Sequence, residues 1–129
     1  MSELNVSVVG LGSIAEYHLR SFAKLPGVNL HAVMSRNQKS VDRAVSEYHV
    51  DKGFQDYNEM LSDPKTDAVV VCSPSALHFE MARSALKAGK HVLVEKPLAS
   101  NLKEARRLCR LADQCSRTLM VAMTARFTP

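Results

Sequence analysis

Tryptophan is absent from this chain of 129 residues, and phenylalanine and tyrosine together supply only 5% of it. A basic surface interleaved with aromatic side chains, the mark of many nucleic-acid readers, is therefore missing. Lys and Arg number 17 against 13 Asp and Glu, a formal charge of +4, but the two signs are scattered among each other along the chain. That pattern describes a solvated surface and speaks against a nucleic-acid partner. Long apolar runs are also lacking: 46% of the residues are hydrophobic, yet no stretch reaches the ~20 needed to span a bilayer, so no membrane segment is expected. Cysteine is sparse. Cys72, Cys109 and Cys115 are odd in number and form no Cys-x-x-Cys pair, which excludes a disulfide or zinc framework and suits reduced thiols. Cys72 reads as strand core. The first residues carry no basic stretch leading into an apolar segment and a small-residue cleavage site, so a cytoplasmic location is expected. His18, His31, His49 and His91 lack ligand-like spacing; they read as structural, and no metal is expected. Repeats, low-complexity tracts and linkers are likewise absent. The length suits one core.

What is present begins at Val6-Ser7-Val8-Val9-Gly10-Leu11-Gly12-Ser13-Ile14-Ala15. An apolar strand runs directly into Gly-x-Gly-x-x-Ala and a helix predicted from Ile14 to Lys24. That order is the phosphate-binding turn of a dinucleotide fold. Gly10 permits the tight turn, Gly12 lets backbone approach a pyrophosphate, and Ala15 keeps helix and strand close. The helix then aims unpaired amides and its positive dipole end at the phosphates, with Ser13 and Ile14 in its first turn.

Strand and helix signals alternate from there on. Strands are predicted at Asn29 to Met34, Lys52 to Phe54, Ala68 to Cys72, His91 to Val94 and Thr118 to Met123. Polar Asn37 to Tyr48 carries Val41, Ala44, Val45 and Tyr48 at helical spacing, and Asp56 is placed to cap a short helix ending near Leu61. Pro74 and Ser75 open a helix expected to turn Leu77, Met81, Ala82, Ala85 and Leu86 inward and to stop at Gly89. Asn101 and Glu104 have capping-box spacing ahead of a helix whose buried face is read as Leu102, Ala105, Leu108, Leu111 and Ala112. Ala68 to Cys72 is almost wholly apolar and β-branched, which makes it a central strand covered on both faces. Right-handed helical crossovers between parallel strands give an α/β fold, a doubly wound Rossmann sheet of order 3-2-1-4-5-6, with the ligand outside the strand carboxyl ends.

The end of the second strand addresses the choice of dinucleotide. An acid about twenty residues past the glycines would take the adenosine ribose hydroxyls of NAD, but Ser35-Arg36-Asn37 stands there instead. A carboxylate would repel a 2′-phosphate, whereas Arg36 offers a charged planar fork and Ser35 and Asn37 offer neutral hydrogen bonds. NADP is the cofactor this favours, with NAD also open; the competing reading is an exposed arginine on a turn. The fourth strand ends in Cys72-Ser73-Pro74-Ser75-Ala76-Leu77-His78. Its position puts Ser73, Pro74 and Ser75 beside the path of the cofactor. His78 either lines that pocket or packs within its own helix.

The fifth strand ends in Val94-Glu95-Lys96-Pro97-Leu98, and the chain closes in Arg126-Phe127-Thr128-Pro129. With Gly-x-Gly-x-x-Ala and Ser-Pro-Ser-x-x-His these motifs fall at successive strand ends in an order that resembles the glucose-fructose oxidoreductase and inositol dehydrogenase family, Gfo/Idh/MocA. The resemblance covers the whole chain. It implies that Lys96 is the active-site lysine, near both nicotinamide and substrate hydroxyl, with Glu95 at the cofactor and Pro97 shaping the turn through a cis bond. A lysine beside an oxidised nicotinamide feels positive charge, which favours its neutral form and lets it orient a hydroxyl or relay its proton. On the residues alone, Glu95-Lys96 reads equally as an exposed charge pair.

The resemblance also implies a second, α+β domain that carries an acid and a histidine for proton transfer. Residues 1–123 are then the dinucleotide domain and 124–129 the start of the junction to that second domain. Thr124-Ala125 departs from the Asn-Arg common in the family at this point. The expected function is hydride transfer between a nicotinamide and a sugar, polyol or related hydroxyl or carbonyl compound, with this chain binding cofactor but turning over little or nothing. The alternative is a non-catalytic NADP-binding sensor or interaction module. In the family the second domain's sheet supplies much of the subunit interface, which leaves a homo-oligomer open.

Overall fold

Six parallel strands and the helices that join them make up the computed structural model, which describes residues 3–128. The chain runs β1 (Leu4–Val9), α1 (Ser13–Ala23), β2 (Val28–Met34), α2 (Gln38–Tyr48), β3 (Lys52–Phe54), α3 (Tyr57–Leu61) and β4 (Ala68–Val71). It continues through a 3₁₀ turn (Ser75–Leu77) into α4 (His78–Lys87), β5 (His91–Glu95), α5 (Leu102–Cys115), β6 (Leu119–Ala122) and a last 3₁₀ turn (Thr124–Phe127). The strand order is β3-β2-β1-β4-β5-β6, as the alternation of signals requires. Pro129, the last residue of the closing motif, lies outside the described residues.

Order reverses between β1 and β4, which pair in register from Val6↔Ala68 to Val9↔Val71. Val6–Val9 and 69–71 are buried, and their side chains alternate between two helical layers. Val9, Val69 and Val71 pack with Met60, Leu86 and Leu108 under α3, α4 and α5. Val6, Val8 and Val70 pack with Ala15, Leu19, Leu30 and Val41 under α1 and α2. Close packing is enforced at Gly53 on β3, where a Cβ would meet Val41 Cγ1 at 2.3 Å.

The helix ends follow their local chemistry. Asn37, Asp56 and Asn101 accept hydrogen bonds from the amides of Ser40, Glu59 and Glu104, capping α2, α3 and α5. Gly89 is left-handed just after α4, as its position predicted. His49 and Ser116 are left-handed too, and end α2 and α5 in a role usually left to glycine or asparagine.

Two residues expected on buried helical faces are exposed. The 3₁₀ turn delays the start of α4 to His78, so Leu77 stands 43% exposed ahead of the helix. Leu102, the first residue of α5, is 64% exposed, while Leu108 and Ala112 are buried as expected. No helix among the described residues is long and apolar enough to cross a membrane.

Candidate functional site

A cleft of about 670 Å³ opens at the carboxyl ends of the central strands, where the strand order reverses. Three turns build it. The turn after β1 contributes Gly10 to Ile14, the turn after β2 contributes Ser35, Arg36 and Asn37, and the turn after β4 contributes Cys72, Ser73 and Pro74. Val9, Met34, Leu77 and Met81 add apolar wall. The sequence reading did not single out those four for this site. Their signal was positional, since Val9 and Met34 are the last residues of adjacent strands.

Gly10 turns away from the strand at φ +86°, and its amide still donates to the Met34 carbonyl at 3.0 Å. A side chain there would press on backbone, because a Cβ would lie 2.7 Å from the Ser73 amide nitrogen. Gly12 differs. A Cβ at Gly12 would have no heavy atom within 4 Å, so its bareness serves no internal contact and leaves open space in front of the turn. Ala15 is buried beneath, 1% exposed, where it closes α1 onto the sheet.

At the wall formed by β4, the Ser73 hydroxyl is buried with no hydrogen-bond partner. An orphaned buried hydroxyl costs about 1–3 kcal/mol and points to a missing acceptor or donor. Beside it, burial followed by the nearby charge of Glu95 pushes the Cys72 thiol up to about 12. Cys72 is therefore a packed, neutral wall and not a nucleophile.

The second turn is fixed by local bonds. The Ser35 hydroxyl accepts from the Asn37 amide at 3.1 Å, and Gln55 Nε2 donates to the Arg36 carbonyl at 3.1 Å. Since Asn37 Oδ1 caps α2, the Ser35 hydroxyl hydrogen and the Asn37 side-chain amide hydrogens are left as donors beside the exposed Arg36 guanidinium. No carboxylate stands in this turn.

The remaining site candidates sit apart from the cleft wall. Ser75 is exposed in the 3₁₀ turn. Glu95, Lys96 and Pro97 follow β5, the next strand, and the Lys96–Pro97 peptide is cis. Lys96 is exposed, whereas Glu95 is buried with Oε1 2.7 Å from His18 Nε2 on α1. His78 is 2% exposed, with Nδ1 2.7 Å from the Pro97 carbonyl oxygen and Nε2 2.8 Å from that of Ser73. The imidazolium donates to both carbonyls, and the neutral ring to one.

Residues 4–123 match the family model described as "Oxidoreductase family, NAD-binding Rossmann fold", that of Gfo/Idh/MocA. Among curated proteins, the scyllo-inositol 2-dehydrogenase (NADP(+)) IolU of Bacillus subtilis is 35% identical over 126 residues, covering 98% of this chain and 38% of its own length. The 4-carboxy-2-hydroxymuconate-6-semialdehyde dehydrogenase of a Sphingobium species is 30% identical, with 98% and 40% covered. Among solved structures, scyllo-inositol dehydrogenase from Lactobacillus casei with bound NAD(H) and scyllo-inositol superposes with a TM-score of 0.92 at 29% identity, covering 98% of this chain and 38% of that one. The chain thus spans about two-fifths of the length of the relatives it matches. Carrying the glycine turn, the six-strand order and the family match over nearly its whole length, the chain belongs to the Gfo/Idh/MocA oxidoreductases as their NAD-binding Rossmann fold.

Proposed function

We propose that residues 1–123 are the dinucleotide-binding domain of an oxidoreductase that moves hydride between NADP and a sugar, polyol or related hydroxyl or carbonyl compound. The observation that carries this reading is the open space in front of Gly12, in a cleft that Arg36, Ser73 and Pro74 also line. Bare backbone at the start of α1 suits a diphosphate. In this reading the Gly10-Leu11-Gly12 turn, Ser13 and Ile14 hold the pyrophosphate, with Ala15 beneath. Ser73, Pro74 and Ser75 border the cofactor's path.

NADP is favoured over NAD by the second turn. Arg36, the Ser35 hydroxyl and the Asn37 amide present only donors to a 2′-phosphate, and a charge-assisted bond to guanidinium is worth about 1.5–3 kcal/mol. Relatives named for NADP(+) and crystallised with NAD(H) both occur, so this preference belongs to the chain's own residues.

A nicotinamide, when bound, supplies the hydride acceptor or donor. Lys96 orients the substrate hydroxyl and takes part in moving its proton, while Glu95 and Pro97 define the turn that carries it. Residues 124–129 lead toward a second domain that completes the substrate pocket, in keeping with relatives more than twice as long. The whole protein's substrate class is taken from the inositol dehydrogenases among those relatives.

Titrating NADPH and NADH into the chain tests the reading. NADPH is expected to bind more tightly, and Arg36→Asp to shift the ratio of the two affinities toward NADH by about tenfold or more, a change of ~1.4 kcal/mol. Equal affinities in the native chain would remove the NADP preference. Failure to bind either dinucleotide would remove the whole proposal.

A further inference from the structure

Lys96 is exposed, yet the residues on either side of it are each held by a histidine from a different helix. His18, on α1, places Nε2 2.7 Å from Glu95 Oε1, and its ring stacks on Phe22 with centroids 6.3 Å apart. His78, at the start of α4, spans two backbone carbonyls, Pro97 at 2.7 Å and Ser73 at 2.8 Å. Neither ring lines the dinucleotide cleft. A ring with both nitrogens set against backbone carbonyls can bridge the exits of two adjacent strands. His78 does so, tying the turn after β4 to the turn after β5.

We infer that His18 and His78 are positioning residues for Lys96, a two-sided bracket that holds the Glu95 side chain on one flank of the lysine and the Pro97 carbonyl on the other. The inference rests on the reading of Lys96 as the reacting lysine, and it goes beyond that reading by naming what holds the lysine in place. The physical need is plain. A lysine side chain has four rotatable carbons and about 2 kcal/mol of rotamer entropy, so a proton-transfer geometry good to about 0.5 Å requires that its backbone contribute no further freedom. Pinning both neighbours leaves only side-chain rotamers to be ordered.

The bracket also joins the two halves of the site. α1 is the helix whose first turn faces the open space at Gly12, and the same helix holds Glu95 through His18. The Ser73 carbonyl taken by His78 belongs to the residue whose hydroxyl is orphaned at the cleft wall. Lys96 is thereby referenced to both walls of the dinucleotide cleft through short, directional bonds.

The test is by NMR on this chain. The order of the Lys96 backbone amide is read from 15N relaxation in the native chain, His18→Phe, His78→Phe and His78→Gln, without ligand. In parallel, the lysines are reductively methylated with 13C and the Lys96 resonance, assigned with Lys96→Arg, is followed at saturating NADP⁺. The native Lys96 amide is expected to be as ordered as β5, with an order parameter near ~0.85, and to fall toward ~0.6 or lower in each phenylalanine variant. His78→Gln, which keeps one donor, is expected to recover part of the order. The NADP⁺-induced displacement of the Lys96 resonance is expected to shrink by at least half in the phenylalanine variants.

Unchanged order and unchanged displacement in both phenylalanine variants would overturn the bracket. Should a variant unfold, the native chain still decides: the His78 ring is expected to show a slowly exchanging N–H, and a ring exchanging as fast as free imidazole would overturn its part. A native chain that does not bind NADP⁺ sinks the functional proposal alone, since the ligand-free order measurements stand without it.

Discussion

Where the strands begin, His31 is clasped between Asp51 Oδ2 at 3.2 Å and Asp63 Oδ2 at 2.8 Å; where they end, the Ser73 hydroxyl is buried with nothing to bond and Gly12 faces open space. The amino edge continues in the same manner. Lys52 reaches Asp63 at 3.3 Å, Lys90 donates to the Asp63 carbonyl at 3.0 Å, Ser7 bonds Thr66 at 2.7 Å, and Asp67 accepts from the Asn5 amide at 2.8 Å. Every parallel strand offers both edges the same kind of unpaired backbone, so the contrast comes from the side chains. The polar groups named at the amino edge pair with one another, whereas at the carboxyl edge the Ser73 hydroxyl is left unpaired and the space before Gly12 unfilled. The difference separates what holds this sheet together from what leaves it able to bind.

The contrast breaks most severely at Asp63. Asp63→Ala strips His31, Lys52 and the Lys65 amide of one shared carboxylate that is itself 8% exposed. Removing one member of a buried charged cluster costs about 3–5 kcal/mol. Thermal denaturation is expected to show a fall in Tm of roughly 10 °C or more, while dinucleotide affinity measured well below the transition stays as it was. A fall in affinity with an unchanged Tm would assign the amino edge the opposite role.

Gly12→Ala sharpens the comparison from the other side. The added methyl meets no heavy atom within 4 Å, so Tm is expected to stay within about 2 °C of the native value. The same methyl occupies the space a pyrophosphate would fill, and dinucleotide affinity is expected to drop about 100-fold, ~2.7 kcal/mol. Calorimetric titration beside a melting curve reads both numbers, and undiminished affinity would show that the open space is not where phosphate sits.

How far each edge was legible in the sequence follows from the range of its contacts. The glycine turn, the caps at Asp56 and Asn101, and the left-handed Gly89 depend on residues a few positions apart, so spacing alone revealed them, whereas the Asn37 cap appeared only in the structure. The strand order followed from crossovers. His31 and Asp63 lie 32 residues apart, and His18 and Glu95 lie 77 apart, so no local pattern marks either pair. His18 and His31, read as structural from spacing, bond Glu95 and the Asp51–Asp63 pair, partners that became visible only when the sheet brought distant turns together. Leu77 illustrates the reverse failure: helical periodicity placed it inward, and three residues of 3₁₀ turn rotated it out into the wall of the cleft.

The smallest effect to be sought is a pH profile whose two flanks belong to the two edges. Burial raises the pKa of Asp63, but the bonds from His31, the Lys65 amide and Lys52, with the charge of His31, more than offset it and hold the carboxyl well below its ordinary range. Asp51 is lowered chiefly by its bond from Asn29. For a carboxyl depressed in the fold, the stabilisation is fully present above the unfolded pKa near ~3.9 and is lost as pH falls below it toward the folded value. At the other edge the Cys72 thiol is raised to about 12, so its contribution is intact below ~8.5 and fades as pH climbs through the folded value. Melting curves across pH are expected to be flat between about pH 5 and 8 and to decline on both sides. On the alkaline side, Cys72 contributes no more than about 1.4 kcal/mol per pH unit. Cys72→Ala is expected to shallow that alkaline decline, with Tyr57, raised by burial, and Tyr48, raised chiefly by its bond to Glu16, left to account for what persists. The acid flank is expected to stay where it was. A variant whose acid flank moved instead would mean that the two edges titrate as one unit and that the division between holding and binding does not extend to their protons.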